Sequence, residues 1–102
     1  MITPKRRAEL RAEAHHLQPT VHVGQQGVTP TLIQALDDAL RTRELVKIAL
    51  GRQLDSSPNE AANILAEAAH ADVVQVIGRK VTLYRENPEL EKPAGELPPW
   101  RR

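Results

Sequence analysis

The apolar and polar positions follow two different periods along the chain, and the changes of period fall beside prolines or glycines. Apolar residues spaced three and four apart predict three amphipathic helices. Each begins with a hydroxyl side chain followed by proline, the pair that suits a helix N-cap and first turn. The predicted starts are Thr3-Pro4, Thr29-Pro30 and Ser57-Pro58, the last strengthened by a capping box with Glu60, and the first helix is expected to run to about His16.

Short runs of alternating apolar and β-branched residues predict four strands. They cover Thr20–Val23, Leu45–Leu50, Val73–Ile77 and Val81–Arg85. The segment "GRK" joins the last two strands as a hairpin, with Gly78 at the turn. The predicted order is therefore α-β-α-β-α-β-β, and crossovers through the second and third helices combine with this hairpin to give a mixed sheet.

Strand alternation assigns one face of the sheet to the core. The apolar set consists of Val21, Val23, Val46, Ile48, Leu50, Val74, Val76, Val81 and Leu83. The opposite, mostly polar set consists of Thr20, His22, Lys47, Gln75, Thr82 and Tyr84. Leu45, Val73 and Ile77 break the alternation, so part of the second face is expected to be covered. The simplest architecture is a two-layer α/β sandwich with its helices mainly on one face.

The periodic pattern stops near residue 86, where the composition also changes. The final segment, "ENPELEKPAGELPPWRR", is rich in proline and charge and has no periodicity. We therefore expect one folded domain over residues 1–85 and a flexible tail over residues 86–102. Trp100 in this tail is either incidental or a short docking element for a protein partner.

Composition excludes several classes of protein. The 102 residues include no cysteine, so disulfides and thiolate metal sites are unavailable. The apolar runs are far shorter than the ~20 residues that a membrane helix requires. The charged N-terminus lacks the apolar segment of a signal peptide. These features favour a cytoplasmic protein with no membrane partner. We also predict that the protein is a monomer and binds no cofactor.

The net charge of +1 conceals local clusters of basic residues. Residues 1–85 carry eleven Lys and Arg against nine Asp and Glu. The basic residues collect in "PKRRAELR", in "RTRELVKIALGR" and in "GRK" at 78–80. Such clusters predict a positive surface patch, although an evenly solvated surface is the other interpretation.

A glycine loop, "GQQG", joins the first strand directly to the second helix. A helix start offers unpaired backbone N–H groups and the positive end of the helix dipole, which together suit a phosphate group. Gly24 and Gly27 would let a sugar-phosphate chain approach, while Gln25 and Gln26 add hydrogen-bond donors. KH modules grip nucleic-acid backbone with a GxxG loop, but two glycines can also form an ordinary turn.

Several motifs occur together in one order. They are "L-x-P" before the first strand, G-x-x-G-V-T after it, "ELVK" opening the second strand, and "IG" and "LYR" in the final hairpin. Over residues 1–85 this set resembles the YhbY/CRM family of small RNA-binding proteins. The resemblance implies a fold similar to the C-terminal domain of translation initiation factor three. It also implies association with precursors of the large ribosomal subunit. The family's GxxG loop falls on Gly24–Gly27 in this sequence, and its strand-two lysine falls on Lys47.

We predict that the protein is an RNA-binding protein, with ribosomal RNA as the expected partner. The loop would grip the RNA backbone and the basic patch would attract it, because the two aromatic residues cannot form a stacking platform. The predicted RNA-binding residues are Lys5, Arg6, Arg7, Arg11, Gly24, Gln25, Gln26, Gly27, Arg41, Arg43, Lys47, Arg79 and Lys80.

Two other classes of function stay open. A protein-interaction adaptor would use a sheet edge or the tail. A small metal-dependent hydrolase would draw its ligands from His22, His70, Asp37, Asp38 and Asp72, whose spacing matches no recognised ligand set. No Ser or Cys nucleophile constellation stands out, so the sequence predicts a protein that is not an enzyme.

Overall fold

A computed structural model describes residues 2–87, which form three helices and a four-stranded sheet in the predicted order. The helices are α1 (Pro4–Ala14), α2 (Pro30–Arg43) and α3 (Pro58–Ala69). The strands are β1 (Val21–Val23), β2 (Leu45–Leu50), β3 (Asp72–Ile77) and β4 (Lys80–Tyr84). The predicted α/β class with a mixed sheet is confirmed. Most of the predicted tail, with Trp100, lies outside the described residues.

The three helices begin at the predicted caps. The hydroxyls of Thr3, Thr29 and Ser57 accept backbone N–H groups three residues on, at 3.1, 3.1 and 3.2 Å. The expected end of α1 at about His16 is wrong by two residues. The chain tightens after Ala14, where the N–H of Leu17 donates to the Ala14 carbonyl at 3.1 Å. Pro19 follows at once and cannot continue a helix.

Ser57→Ala is expected to lower the free energy of unfolding by about 1 kcal/mol, because the Glu60 amide loses its acceptor at the start of α3. Urea denaturation followed by circular dichroism measures the change. Ser56→Ala is the matched control, since Ser56 makes no hydrogen bond to another residue within 2–87 and its loss should stay within about 0.5 kcal/mol. Equal losses in the two variants would contradict the capping role.

The strand order in the sheet is β1-β2-β4-β3. β1 runs parallel to β2, and β4 runs antiparallel to both β2 and β3. At one end of the sheet, β1 and β2 finish and β4 begins. We call this end the loop edge. The end where β2 begins and β4 finishes is the far edge. Because α2 connects β1 to β2, it starts at the loop edge and ends at the far edge.

The main core lies between the sheet and the pair α2 and α3. Eight of the nine residues predicted for the apolar face contribute to this core. Seven of them are buried in it, and Val76 is partly buried and packs against it. Leu36 and Leu40 of α2 and Leu65 of α3 are fully buried against this face. The spacing of these leucines shows that the predicted helical stripes face the sheet.

Val74 is the exception, and its predicted place in the main core is wrong. A β-bulge between Val73 and Gln75 shifts the register of β3 against β4. One extra residue reverses the alternation, so Val73 packs against the main core and Val74 is buried on the second face.

The second face of the sheet is partly covered by α1. Leu10 of α1 packs with Leu45, Val74 and Tyr84 in a separate buried cluster. Thr82 is also buried on this face, although alternation placed it in the polar set. The coverage expected from Leu45 is therefore confirmed, and α1 is the element that provides it. No helix within residues 2–87 is long and apolar enough to cross a membrane.

Candidate nucleic-acid interface

The loop from Gly24 to Gly27 is a tight turn between β1 and α2. The N–H of Gly27 donates to the carbonyl of Gly24 at 3.0 Å. Gly27 has a φ of 72°, in the left-handed region where a side chain is costly. The second glycine of the motif is therefore required by the turn itself.

Gly24 has no such conformational requirement. Its φ is not positive, and, apart from its two chain neighbours, no atom of residues 2–87 lies within 4 Å of a Cβ placed on it. Neither backbone strain nor crowding explains glycine at this position. Its effect is to leave the peptide backbone at the end of β1 open to an approaching ligand.

A groove of about 480 Å³ lies between this loop and the first turns of α2. It is lined by His22, Gly24, Gln25, Gln26, Gly27, Thr29, Thr31, Leu32 and Ala35. The lining contains no acidic residue, and no side chain from the described part of the chain fills the groove. Within the described range, the backbone N–H groups of Gln25, Gln26 and Thr31 have no hydrogen-bond partner. The Thr29 hydroxyl, in contrast, is used in capping α2.

The segment after β2 lies beside the glycine loop because β1 and β2 are parallel. The N–H of Gly51 donates to the carbonyl of Val23 at 2.8 Å, and Leu54 packs next to Gly27. Arg52 is exposed in this segment. The sequence places Arg52 in a basic cluster, but the predicted RNA-binding residues do not include it. Its position directly after a strand parallel to β1 was the signal that could have placed it there.

The β3–β4 hairpin brings two more cations to the loop edge. Arg79 and Lys80 are both exposed. The Arg79 guanidinium donates to the carbonyls of Gly51 at 2.9 Å and Arg52 at 3.5 Å. Arg79 thus ties the hairpin to the segment beside the glycine loop. Of the predicted cations, Arg79 and Lys80 are the two that the fold brings to the loop edge, and Arg52 joins them.

Arg41 and Arg43 lie at the other end of the molecule, in the last turn of α2 at the far edge. Eleven residues of helix place Arg41 about 16 Å from Pro30 along the axis, at ~1.5 Å per residue. Arg41 also pairs with Asp38 and with Asp37, at 3.2 Å for the latter. The hydrogen bond to Asp38 and the two negative charges raise the pKa of Arg41. The predicted single patch is therefore divided between two edges.

The basic residues of α1 do not line the groove. Arg6 donates to the Tyr84 hydroxyl at 3.4 Å, and Arg7 donates to the Val73 carbonyl. Both contacts place the start of α1 near the far edge. Lys5 and Arg11 are exposed on the same helix. The structure does not bring these four residues together with the glycine loop.

Lys47 points to the second face, as alternation predicted, but it lies under the end of α1. Its Nζ donates to the carbonyls of Ala14 at 3.0 Å and Leu17 at 3.5 Å. These are carbonyls at and just beyond the negative end of the helix, where a cation is favourable. The half-buried Lys47 therefore holds α1 against the sheet.

The residues considered for a hydrolase do not converge. His22 lies at the loop edge, whereas His70 follows α3 at the far edge. Asp37 pairs with Arg85 at 2.9 Å and with Arg41. Within the described part of the chain, no group of three or more His, Asp or Glu side chains is placed to hold a metal ion.

Comparison with protein families gives a match to the CRS1 / YhbY (CRM) domain over residues 2–85. The Bacillus subtilis protein named "Probable RNA-binding protein YqeI" is 36% identical over 89 residues, which cover 87% of this chain and 93% of that protein. "Probable RNA-binding protein MJ0652" of Methanocaldococcus jannaschii is 36% identical over 99 residues, covering 95% and 73%. The family resemblance predicted from the motifs is confirmed.

A solved structure shares the fold. The solution structure of SAV1595 from Staphylococcus aureus, named "a putative RNA binding protein", aligns with this chain with a TM-score of 0.71. The two chains are 35% identical, and the alignment covers 91% of this chain and 100% of the other. The arrangement of three helices on a mixed four-stranded sheet is therefore shared with a relative.

Proposed function

This chain belongs to the CRS1 / YhbY (CRM) domain family, and from that premise we propose that it binds RNA at the loop edge of its sheet. The observation that carries the proposal is the open groove at Gly24. It combines unbonded backbone amides with a lining free of acidic residues. Arg52, Arg79 and Lys80 are exposed at the same end of the sheet as the groove and add positive charge there. A phosphate backbone is the ligand that satisfies all of these features.

The binding mode follows from the chemistry of the groove. Backbone N–H groups at the loop and at the start of α2 donate to phosphate oxygens, and the Gln25 and Gln26 side chains add neutral donors. The nearby cations attract the strand and neutralise its charge. Tyr84, the aromatic residue within 2–87, is buried under α1 and cannot stack on a base. Recognition therefore relies on backbone and shape and tolerates many sequences.

Salt dependence tests the electrostatic part of the proposal. With three cations at the loop edge, log K for a single-stranded RNA is expected to fall with log salt with a slope of about −2, at ~0.7 per phosphate neutralised. Fluorescence anisotropy measures this slope. A labelled oligouridylate is titrated with the protein at KCl concentrations from about 50 to about 300 mM.

Two arginine variants locate the charges responsible. Arg52→Gln should reduce the magnitude of the slope by about 0.7, because one phosphate contact is lost. Arg43→Gln is the matched control, since Arg43 is also exposed but lies at the far edge. Equal changes in the two variants would mean that the RNA does not bind at the loop edge.

We also propose that the RNA target is ribosomal RNA in precursors of the large ribosomal subunit. The support is the motif set that this chain shares with stand-alone bacterial members of the family. Sedimentation of a cell lysate through a sucrose gradient tests it. The protein should travel with large-subunit precursors, and a Gly24→Asp variant should remain at the top of the gradient. A wild-type protein found away from these precursors would contradict the ribosomal target while leaving RNA binding itself intact.

A further inference from the structure

A row of side chains crosses all four strands on the second face, close to the loop edge. The register places His22 beside Ala49, Ala49 beside Lys80, and Lys80 beside Ile77. We call these four residues the open row. His22, Lys80 and Ile77 are exposed and Ala49 is half-buried, so α1 leaves this part of the sheet uncovered.

The next row towards the far edge differs sharply. It consists of Lys47, Thr82 and Gln75, which the register also places side by side. Thr82 is buried, the other two are half-buried, and Lys47 is bonded to the end of α1. α1 therefore covers the second face only as far as the row of Lys47, Thr82 and Gln75. The open row is an exposed strip of the sheet next to the glycine loop.

The open row is continuous with the groove already described. His22 belongs to both, since it lines the groove and is also the first member of the row. Arg52 and Arg79 lie at the same edge, and Lys80 lies within the row. Asp55 lies in the segment between β2 and α3, and Glu60 lies in the first turn of α3, the helix that covers the opposite face; neither belongs to the row. The charge along the row therefore favours a polyanion.

Ile77 gives the row an apolar end. It is 57% exposed, and within 2–87 the other large apolar residue exposed to a similar degree is Ile64, at 45%. Ile77 also adjoins Lys80 in the register. An exposed apolar side chain next to a cation suits a ligand that presents flat apolar faces and phosphates alternately, which is the chemistry of an unpaired nucleic-acid strand.

We propose that the open row is a second segment of the RNA site, and that it takes single-stranded RNA leaving the glycine loop. This inference rests on the proposed function. The strand passes from His22 over Ala49 to Lys80, which binds a phosphate, while Ile77 contacts a base or ribose face. Three strand spacings of ~4.8 Å give a track of about 14 Å, enough for up to about four stacked nucleotides at ~3.4 Å each.

A length series of oligouridylates tests the inference. The affinity of the wild-type protein should rise with length until the strand fills both loop and row, and then level off. The double variant Ile77→Ser/Lys80→Gln should level off at a shorter length, with an affinity about five- to tenfold lower at the plateau. Ile64→Ser is the matched control and should behave as wild type, because Ile64 lies on α3 across the sheet.

The wild-type protein offers a second measurement that needs no substitution. In methyl NMR spectra, the Ile77 resonance should move when a long oligouridylate is added and stay in place with one that fills only the loop. The Ile64 resonance should stay in place in both titrations. An Ile77 methyl resonance whose chemical shift does not change when the long oligonucleotide is added would overturn the inference.

The remaining outcomes separate this inference from the proposed function. If Gly24→Asp loses binding at every length while the double variant binds like wild type, the loop is the site and the open row is not part of it. If Gly24→Asp retains full affinity, the proposed function itself fails. If Ile77→Ser loses a nuclease-resistant protein partner but binds all oligonucleotides normally, the row is a protein-docking surface and the inference is overturned.

Discussion

Gly24→Asp is expected to reduce the affinity for single-stranded RNA at least about tenfold, equivalent to ~1.4 kcal/mol, without unfolding the domain. The added carboxylate would stand in the groove where a phosphate is proposed to lie. Two like charges ~4 Å apart repel by about 1 kcal/mol in water and about 4 kcal/mol near a protein surface. The fold tolerates the substitution because a Cβ at Gly24 meets no atom of the described residues within 4 Å, apart from its two chain neighbours.

Gly24→Asn separates charge from size. Asparagine has nearly the same shape as aspartate and no charge, so it should lose much less affinity than Gly24→Asp. Fluorescence anisotropy measures binding, and urea denaturation checks that both variants keep the stability of the wild type. An aspartate variant that binds as tightly as the asparagine variant would show that no phosphate approaches Gly24.

Gly27 would make a poorer test, although it is the second glycine of the same motif. Its φ of 72° imposes strain on a residue with a side chain, at a cost of about 1–2 kcal/mol. A Gly27 variant would therefore change both stability and binding. The two glycines differ because one forms the turn and the other leaves space beside it.

The helices and strands could be predicted from the sequence because their signals are local. A hydroxyl residue before proline marks a helix start through contacts within four residues, and all three caps form as expected. The bounds of β2 agree with the prediction at both ends, since charged and turn-forming residues flank a strongly apolar run. The glycine loop was also found because it lies between two such elements.

The features that sequence reasoning missed depend on contacts between distant parts of the chain. The bulge that turns Val74 to the second face is a property of the pairing of β3 with β4. Arg41 and Arg43 stand near Lys47 in sequence, but α2 ends at the edge opposite the glycine loop. Arg52 comes to the loop edge through the parallel pairing of β1 and β2. Composition reveals that basic residues cluster, whereas topology decides which of them share a surface.

Arg85, the last residue of the "LYR" motif, joins α2 and α3 to the end of β4 at the far edge. Its guanidinium donates to the Ala69 carbonyl at the end of α3, at 2.7 Å, and to the Asp37 carbonyl of α2, at 3.1 Å. It also pairs with the Asp37 carboxylate at 2.9 Å, and its own N–H donates to the Glu44 carbonyl. The Arg85 side chain is only 20% exposed.

Arg85→Ala is expected to lower the free energy of unfolding by about 2–3 kcal/mol, because hydrogen bonds from a charged, largely buried donor contribute ~1.5–3 kcal/mol. The ion pair adds little, since the Asp37 side chain is 39% exposed and screened by solvent. Arg85→Lys should recover only part of the loss, because an ammonium group cannot reproduce the planar fork of donors.

Urea denaturation measures this effect, and Arg43→Ala serves as the control. Arg43 is exposed at the same edge, so its loss should stay within about 0.5 kcal/mol. The Arg85→Ala protein that remains folded should bind RNA with wild-type affinity, because Arg85 lies at the opposite edge from Gly24. A stability equal to that of Arg43→Ala would show that the far edge holds together without this side chain. A loss of RNA affinity in the folded variant would mean that RNA binding extends to the far edge. In that case the same end of the sheet would contribute both to folding stability and to RNA recognition.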